Sequence, residues 1–320
     1  MICINLESTD PFFNLAVDEY LLKNSKKDFL ILGINDRALI IGKHQVVHRE
    51  VDTRFVTEND ITVIRRVSGG GTVFHDKGNL NFSFIVNSEP GKQVDFRKYT
   101  SPVVEFLSSL GVDATFEGKN DLKVNGLKIS GNAEHVFHDR VLHHGTLLYD
   151  TDLAMLESST RKDKGRYETR AVSSNPAPVT NLITILNSVL KYGDNIFEFK
   201  SLMMEWFLKN YPGSEIYALS EVQRLAVSEL AASKYKTWEW NYAYGPEYYF
   251  NSQFAFRERE ISCRLFVSDG LIWECELKGY DGLKKASKNL IGCRHMVKDI
   301  QEVLEKEFIL SREFDVYNLF

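Results

Sequence analysis

Apolar residues first fall into a clear period after Asp10-Pro11, where Phe13, Val17 and Leu21 lie on one helical face. An acidic N-cap followed by a ring pre-set for the first helical position predicts a helix beginning at Pro11. The period then changes. Short apolar runs at Phe29 to Ile34, Leu39 to Ile41, Ile61 to Ile64 and Leu80 to Val86 predict strands, each too short for a helix and several β-branched or alternating. Ser101-Pro102 predicts the start of a second helix, striped by Val103, Phe106, Leu107 and Leu110 and ended by Gly111. Strands are expected again from Asp121 to Tyr149. The polar stretch Ser158 to Asn175 has five basic residues and no apolar period, which predicts a mobile loop. Helical spacing returns at Leu182 to Leu190, at Ile196 to Leu208 and, after a Ser220 cap, from Val222 to Ala232.

Tyr235 to Pro246, YKTWEWNYAYGP, breaks this periodicity and reads as a boundary. Beyond it, Ile261, Cys263, Leu265 and Val267 alternate up to Ser268-Asp269-Gly270, and Leu271, Trp273, Cys275 and Leu277 alternate after it. That predicts a hairpin burying one face, with both cysteines in the core. A last helix carrying Ile300, Val303, Leu304 and Phe308 on one side would cover the face. The chain has 320 residues, beyond the roughly 250 to 300 at which one core stops growing. An α+β architecture is therefore expected, with a catalytic-sized domain over 1–243 and a small α+β accessory domain over 244–320.

Charge narrows the function. With 39 Lys and Arg against 44 Asp and Glu, the net charge of −5 lacks the basic excess of a protein held by nucleic-acid phosphates. The four cysteines stand at 3, 263, 275 and 293, while seven of the eight histidines lie between His44 and His144. No CxxC exists to build a zinc site or redox pair, and unpaired thiols suit a reducing cytoplasm. The opening MICINLESTDPFF does not read as a signal peptide, and no apolar run reaches the roughly 18 residues of a membrane span. A cytoplasmic enzyme without nucleic-acid or membrane partners is expected.

Candidate chemistry starts at Arg65-Arg66-Val67-Ser68-Gly69-Gly70-Gly71, directly after a predicted strand. Three successive glycines cost conformational entropy, so the run suggests bare backbone against a ligand, with amides and arginines available to a phosphate. A flexible turn is the alternative. Neither GxxxxGK[ST] nor GxGxxG is present, since Phe74 occupies the last glycine position. Asn125-Gly126 is a strong hairpin signal. A two-residue turn there pairs Val124 with Leu127, Lys123 with Lys128, Leu122 with Ile129 and Asp121 with Ser130. One face is then wholly apolar, and the other, holding Asp121, Lys123, Lys128 and Ser130, is either a phosphate and metal site or a solvated surface. His135, His138, His143 and His144 have weak metal spacing, because His143 and His144 fall on opposite faces of a strand. One of them is better read as an orienting or packing residue. His75, Asp76 and Asn79 could orient a phosphate or Mg2+, or simply form a turn.

RRVSGGGTVFHDKGNLNFSF (65 to 84), KNDLKVNGLKISGNA (119 to 133) and HHGTLLYDTDL (143 to 153) together resemble the lipoate-protein ligase A family. DPFFNLAVDEYLL, GKHQVVHRE (42 to 50), VTNL (179 to 182) and TWEWNYAYGP extend the likeness over essentially the whole chain. The resemblance implies a mixed-sheet catalytic domain related to biotin ligases and a small C-terminal accessory domain. It implies ATP-dependent activation of lipoate to lipoyl-AMP, then transfer to a lysine of lipoyl carrier domains, those of 2-oxoacid dehydrogenase acyltransferases and the glycine cleavage H protein. By that likeness Arg66, Gly71, Thr72, Val73 and Phe74 meet the nucleotide, and Ser68, Gly69, Gly70, His75 and His144 meet the lipoyl or octanoyl chain. Lys128 matches the essential lysine and contacts both substrates. Asp121, with Asn79 or Asn120, would hold Mg2+, and Arg161 to Asn175 loosely resembles an adenylate-binding loop. Val46 and the 175–178 segment depart from the pattern, which bears on contacts and acyl preference. A same-fold octanoyl or lipoyl transferase would need a cysteine, and there is none between 3 and 263. A non-catalytic adenylate binder would be expected to carry an output domain.

Overall fold

Strands of the computed structural model, which describes residues 1–89, 91, 94–189, 195–306 and 314–320, follow the predicted periods closely. They are β1 (Ile2–Asn5), β2 (Phe29–Ile34), β3 (Ala38–Ile41), β4 (Thr62–Arg65), β5 (Val73–His75), β6 (Asn79–Asn87), β7 (Thr115–Glu117) and β8 (Asp121–Val124). Then come β9 (Leu127–Phe137), β10 (Arg140–Leu148), β11 (Tyr167–Glu168), β12 (Glu215–Ile216), β13 (Tyr248–Phe256), β14 (Arg259–Ser268) and β15 (Leu271–Lys278). The chain divides into two units, one of residues 1–43, 62–156 and 174–236, the other of 44–61, 157–173 and 237–320.

The first unit holds an eight-stranded sheet in the order β12-β1-β2-β6-β10-β9-β8-β7, parallel at β12, β1 and β2 and antiparallel beyond, and a three-stranded sheet β4-β3-β5. Alternation assigns each face of the large sheet a job. Leu30, Leu32 and Ile34 of β2, Leu80, Phe82 and Phe84 of β6 and Leu147 of β10 share one core with Val103, Phe106, Phe199, Met203 and Phe207 from helices Phe96–Ser109 and Ile196–Asn210. The opposite face carries a polar strip, Asn79, Asn81 and Ser83 on β6 with His144 and Thr146 on β10, beside Gly131 and Ala133 on β9, while Ile31, Ile85 and Leu142 share that face farther along.

Helix Pro11–Asn24 starts as predicted, Asp10 accepting from the Phe12 N–H. The second helix starts earlier than Ser101, at Phe96, because Asp95 caps the Lys98 N–H and the buried Tyr99 and Thr100 hold the turn before the proline. Pro102 therefore lies inside it, forfeiting one backbone bond. Helices Leu182–Val189 and Glu221–Leu230 match their patterns, the latter with a Ser220–Gln223 capping box. Leu190 lies outside the described residues.

The Asn125-Gly126 turn forms with positive φ at both residues, 51° and 78°, and pairs Val124 with Leu127 and Lys123 with Lys128. The expected register fails beyond that point. A bulge brings Leu122 opposite Ser130 and Asp121 opposite Gly131, leaving Ile129 as the extra residue. Leu122, Val124 and Ile129 are buried as expected, but Leu127 is exposed, and Ser130 turns onto the buried face with Asn132.

The second unit folds around an antiparallel sheet β11-β13-β14-β15. The segment expected as a mobile loop contributes β11, and Tyr167 enters the core beside Phe250, Leu265 and Ile300. The expected break at Tyr235 to Pro246 is instead largely helical, with π-turns at Ala231–Tyr235 and Glu239–Ala243 on either side of the unit division. Ile261, Cys263, Leu265 and Val267 face inward as predicted. On β15 a bulge at Phe266/Val267 shifts the phase, so Val267 pairs with Ile272 and Trp273 projects outward, 56% exposed. Past the bulge, Cys275 packs at the core margin. Ile300 and Leu304 of helix Val297–Lys306 are fully buried and Val303 partly; Phe308 lies outside the described residues.

Candidate active site

The polar face of the large sheet gains its chemistry from three additions. The first is the loop after β4. Arg66 is buried, and its guanidinium donates to Ser68 Oγ at 2.9 Å, Ile40 O at 2.9 Å, Gly69 O at 2.6 Å and Gly71 O at 2.7 Å. Burial draws its pKa down to about 10, leaving it a cation at neutral pH. Arg65 points equally inward, to the carbonyls of Gly42 and Lys43. Arg66 thus braces the glycine loop through Ser68, Gly69 and Gly71, while Arg65 is held by the segment after β3.

The glycines separate by cause. A Cβ on Gly70, whose φ is +86°, would stand 3.0 Å from Arg66 Nη2, and one on Gly71 would stand 3.2 Å from the Ser174 Cα. Local geometry thus explains both. A Cβ on Gly69 would meet nothing within 4 Å. Its bare backbone is not required by protein contacts, which is what close approach of a ligand would leave. The loop lies against the sheet face, the Gly70 position being 3.8 Å from the Ala133 Cβ. Thr72 donates its N–H to Ser174 Oγ at 2.8 Å, and Val73 and Phe74 continue into β5, with the Phe74 side chain buried.

The second addition is Lys128. Its N–H donates to Pro178 O at 2.9 Å and its carbonyl accepts from the Thr180 N–H at 3.0 Å, tying its backbone to residues 178–180. The ammonium lies 2.7 Å from Asp121 Oδ1, each side chain 21% exposed, and 3.1 Å from where a Gly131 Cβ would stand. It therefore lies on the polar face, two residues along β9 from Ala133 and the glycine loop, about 7 Å at strand rise. Lys123 has its own carboxylate, Glu117, at 3.1 Å, so the facing lysines are each compensated without a shared anion.

Histidines are the third. His143 and His144 do face opposite ways. His143 is buried among Phe82, Phe84 and Tyr99, 2.9 Å from Glu134, with burial holding its pKa down. His144 turns to the polar face, 2.6 Å from Ser68 Oγ. His75 Nδ1 accepts from Asn35 Nδ2 at 2.9 Å while its buried Nε2 has no partner among the described residues, and burial, with Arg66 and His144 nearby, drives its pKa down to about 3. Among the described residues no cluster of three His, Cys, Asp or Glu could hold a metal.

The Mg2+ candidates do not converge. Asn79 keeps a buried Oδ1 without a partner among the described residues, but β6 is three strands from β8 and Asp121, about 14 Å at ordinary strand spacing. Asn120 adjoins Asp121, its amide nitrogen donating to Asn132 O at 2.6 Å. Asp76 serves a turn, accepting from the N–H groups of Gly78 and Asp152. Pattern reading missed Asp18, Ser83 and Ser174. Asp18 had a signal: an acid on the stripe Leu15, Asp18, Leu22 of an otherwise apolar helix face, which needs a buried partner.

Residues 10–207 match the lipoyl protein ligase A/B catalytic domain. The chain is 33% identical to lipoate–protein ligase 1 of Staphylococcus aureus over 99% of its own length and 94% of that protein's. It is 34% identical to the lipoate-protein ligase LplJ of Bacillus subtilis over 94% and 92%. Among solved structures, a lipoate-protein ligase A bound with ATP superposes with a TM-score of 0.60 at 28% identity, covering 75% of this chain and 97% of that one. A bipartite lipoate protein ligase of Thermoplasma acidophilum, described together with its E2 lipoyl domain, gives 0.62 at 27% identity over 75% and 94%. A T. acidophilum chain with bound lipoic acid gives 0.62 at 28% over 75% and 98%.

Proposed function

The chain belongs to the lipoyl protein ligase A/B family, and from that premise we propose that it is an ATP-dependent lipoate–protein ligase with its chemistry centred on Lys128. In the first step the lipoate carboxylate attacks the α-phosphorus of ATP, releasing pyrophosphate and forming lipoyl-AMP. In the second, the amine of a carrier lysine attacks the acyl carbonyl, and AMP leaves. Both steps build negative charge within reach of one point, first on phosphate oxygens and then on the carbonyl oxygen. The observation that carries the reading is the Lys128 ammonium, held at its backbone by two hydrogen bonds and aimed onto the same sheet face as the glycine loop. A donor held in place this way stabilises developing charge without reorganising.

Around it, Ser68, Gly69 and Gly70 line the acyl chain with His75 and His144 beneath, the open space at Gly69 supporting close approach. Gly71, Thr72, Val73 and Phe74 meet the nucleotide chiefly through backbone, since the Phe74 side chain is buried, and Arg66 contributes by holding that backbone. Mg2+ fits Asp121 as a single protein carboxylate, with Asn120 beside it and Asn79 excluded by distance; such an ion takes its remaining ligands from phosphates and water. When bound it neutralises phosphate charge. Asp121 meanwhile keeps the ammonium in place. Carrier domains of 2-oxoacid dehydrogenase acyltransferases and the glycine cleavage H protein are the proposed acceptors, and octanoate an alternative acyl substrate. Residues 244–320 are the proposed accessory domain. No helix among the described residues is long and apolar enough to cross a membrane, and the proposed location is the cytoplasm.

A cysteine-thioester transferase is disfavoured, since burial raises the pKa of Cys3, Cys263, Cys275 and Cys293 alike. Lipoate-dependent exchange of labelled pyrophosphate into ATP tests the proposal. Folded protein without that exchange would overturn it.

A further inference from the structure

Asp18, on helix Pro11–Asn24, has no part in that chemistry, yet it ends a largely buried chain of polar contacts that begins at the glycine loop and passes through the partly buried His144. Its Oδ2 accepts from Ser83 Oγ at 2.9 Å and lies 3.3 Å from His144 Nδ1. His144 Nε2 is 2.6 Å from Ser68 Oγ, which accepts from Arg66 Nε at 2.9 Å. All five residues belong to the first unit.

Counting protons gives the chain a direction. A guanidinium has only donors, so Ser68 Oγ must accept from Arg66. Ser68 is fully buried, and among the described residues its hydroxyl has one other neighbour, His144 Nε2. Were Nε2 protonated, the serine proton would be buried without an acceptor, and in a neutral ring the bare Nδ1 would also face the Asp18 carboxylate lone pair to lone pair. Both faults vanish when Ser68 donates to Nε2 and the ring proton sits on Nδ1, donating to Asp18. We propose that Asp18 is a positioning residue: it selects the Nδ1–H tautomer of His144, and through it locks the Ser68 hydroxyl and the glycine loop into the shape the acyl substrate meets.

Ser83 adds a second donor to the same carboxylate oxygen, so the acid is held from the β6 side as well. The Asp18 to His144 to Ser68 order is that of a hydrolase triad, but here the serine is fully buried beside Arg66, so it is read as an anchor of the loop. The kinetic consequence rests on the ligase reading; the tautomer does not.

Nitrogen-15 NMR of the histidine rings, with His144 assigned by its loss in His144→Gln, tests the idea directly. The wild-type ring should carry its proton on Nδ1; Asp18→Ala removes that proton's acceptor and leaves only the Ser68 contact to favour the same form, so the share of the Nε2–H ring should rise. Ser83→Ala, which leaves the carboxylate in place, should keep it on Nδ1. In pyrophosphate exchange, Asp18→Ala should raise the lipoate KM about tenfold, the loss expected for one charge-assisted hydrogen bond, with kcat changed far less. Asp18→Asn keeps the volume and one acceptor, and should recover part of both readouts; it also serves if the alanine variant fails to fold. An Nε2–H ring in the wild type, or an unchanged tautomer and lipoate KM in Asp18→Ala and Asp18→Asn, overturns the proposal. A protein with the Nδ1–H ring but no lipoate-dependent exchange sinks the ligase reading and leaves the tautomer assignment standing.

Discussion

Replacing Lys128 by Ala separates what the lysine does for the fold from what it does for the reaction. In the resting protein its partner is Asp121 at 2.7 Å, with both side chains 21% exposed. At an effective dielectric near 20 the gross attraction at this distance is about 6 kcal/mol, but solvent access and the desolvation already incurred cancel most of it. Partly exposed pairs net about 1 kcal/mol. The backbone bonds to Pro178 and Thr180 survive the substitution. Lys128→Ala should therefore lower Tm by no more than roughly 4 °C. The reaction should suffer far more: loss of one fixed donor to developing charge costs about 100- to 1,000-fold. Because the same ammonium serves both steps, pyrophosphate exchange and transfer from supplied lipoyl-AMP should fall together. Thermal denaturation alongside the two half-reactions makes the check. Exchange within a factor of three of wild type, in protein of unchanged Tm, would refute the placement of the chemistry at Lys128.

Other substitutions probe the scaffold. Gly145→Ala puts a Cβ 2.2 Å from Asn132 Oδ1 and 2.4 Å from the Phe82 ring, so a loss of about 3 kcal/mol is expected, read as a lower urea midpoint. Glu19, its side chain 2% exposed, accepts from Lys23, Lys234 and Tyr235. Burial pushes its pKa up, but those hydrogen bonds outweigh it and hold the value below 4.5. Its contribution is thus present above pH 4.5 and lost as pH falls through the lower folded value. Glu19→Gln should cost about 3 kcal/mol at pH 7, and chemical denaturation should show the gap from wild type closing in strong acid. His75, held down to about 3 mainly by burial, acts over a higher range: below pH 6.5 the unfolded chain takes up a proton that the folded ring refuses. Wild-type stability should fall between pH 6.5 and about 3, and His75→Gln should flatten that slope.

What pattern reading recovers is what local chemistry determines. The Asp10 cap, the Asn125-Gly126 turn and the alternating core strands all follow from a few neighbouring residues. The two hairpin errors share one cause. A bulge adds a residue without any change of composition, and it reverses the phase of everything beyond it. Trp273 reads as core and is exposed; Ser130 reads as polar-face and is buried. At Asp18 the acid on an apolar stripe signals burial, but its partners are out of reach for a different reason: Ser83 and His144 are 65 and 126 residues away and meet it only once β6 and β10 pair.

The bulge also decides how the site is built. In the regular register Asp121 would face Ser130, and the Lys128 ammonium would lie in a row of side chains, Lys123 and Ser130 among them, shared with solvent. Adding Ile129 turns Ser130 to the core and brings Gly131 opposite Asp121. The residue beneath the ammonium then has no side chain. The lysine can lie flat on the sheet, 3.1 Å from the Gly131 Cβ position and 2.7 Å from its carboxylate, with its reach directed along β9 toward the glycine loop. The irregularity that defeats the pattern is therefore the one that aims the reactive group, in keeping with the tendency of bulges to lie beside active sites and redirect a side chain there.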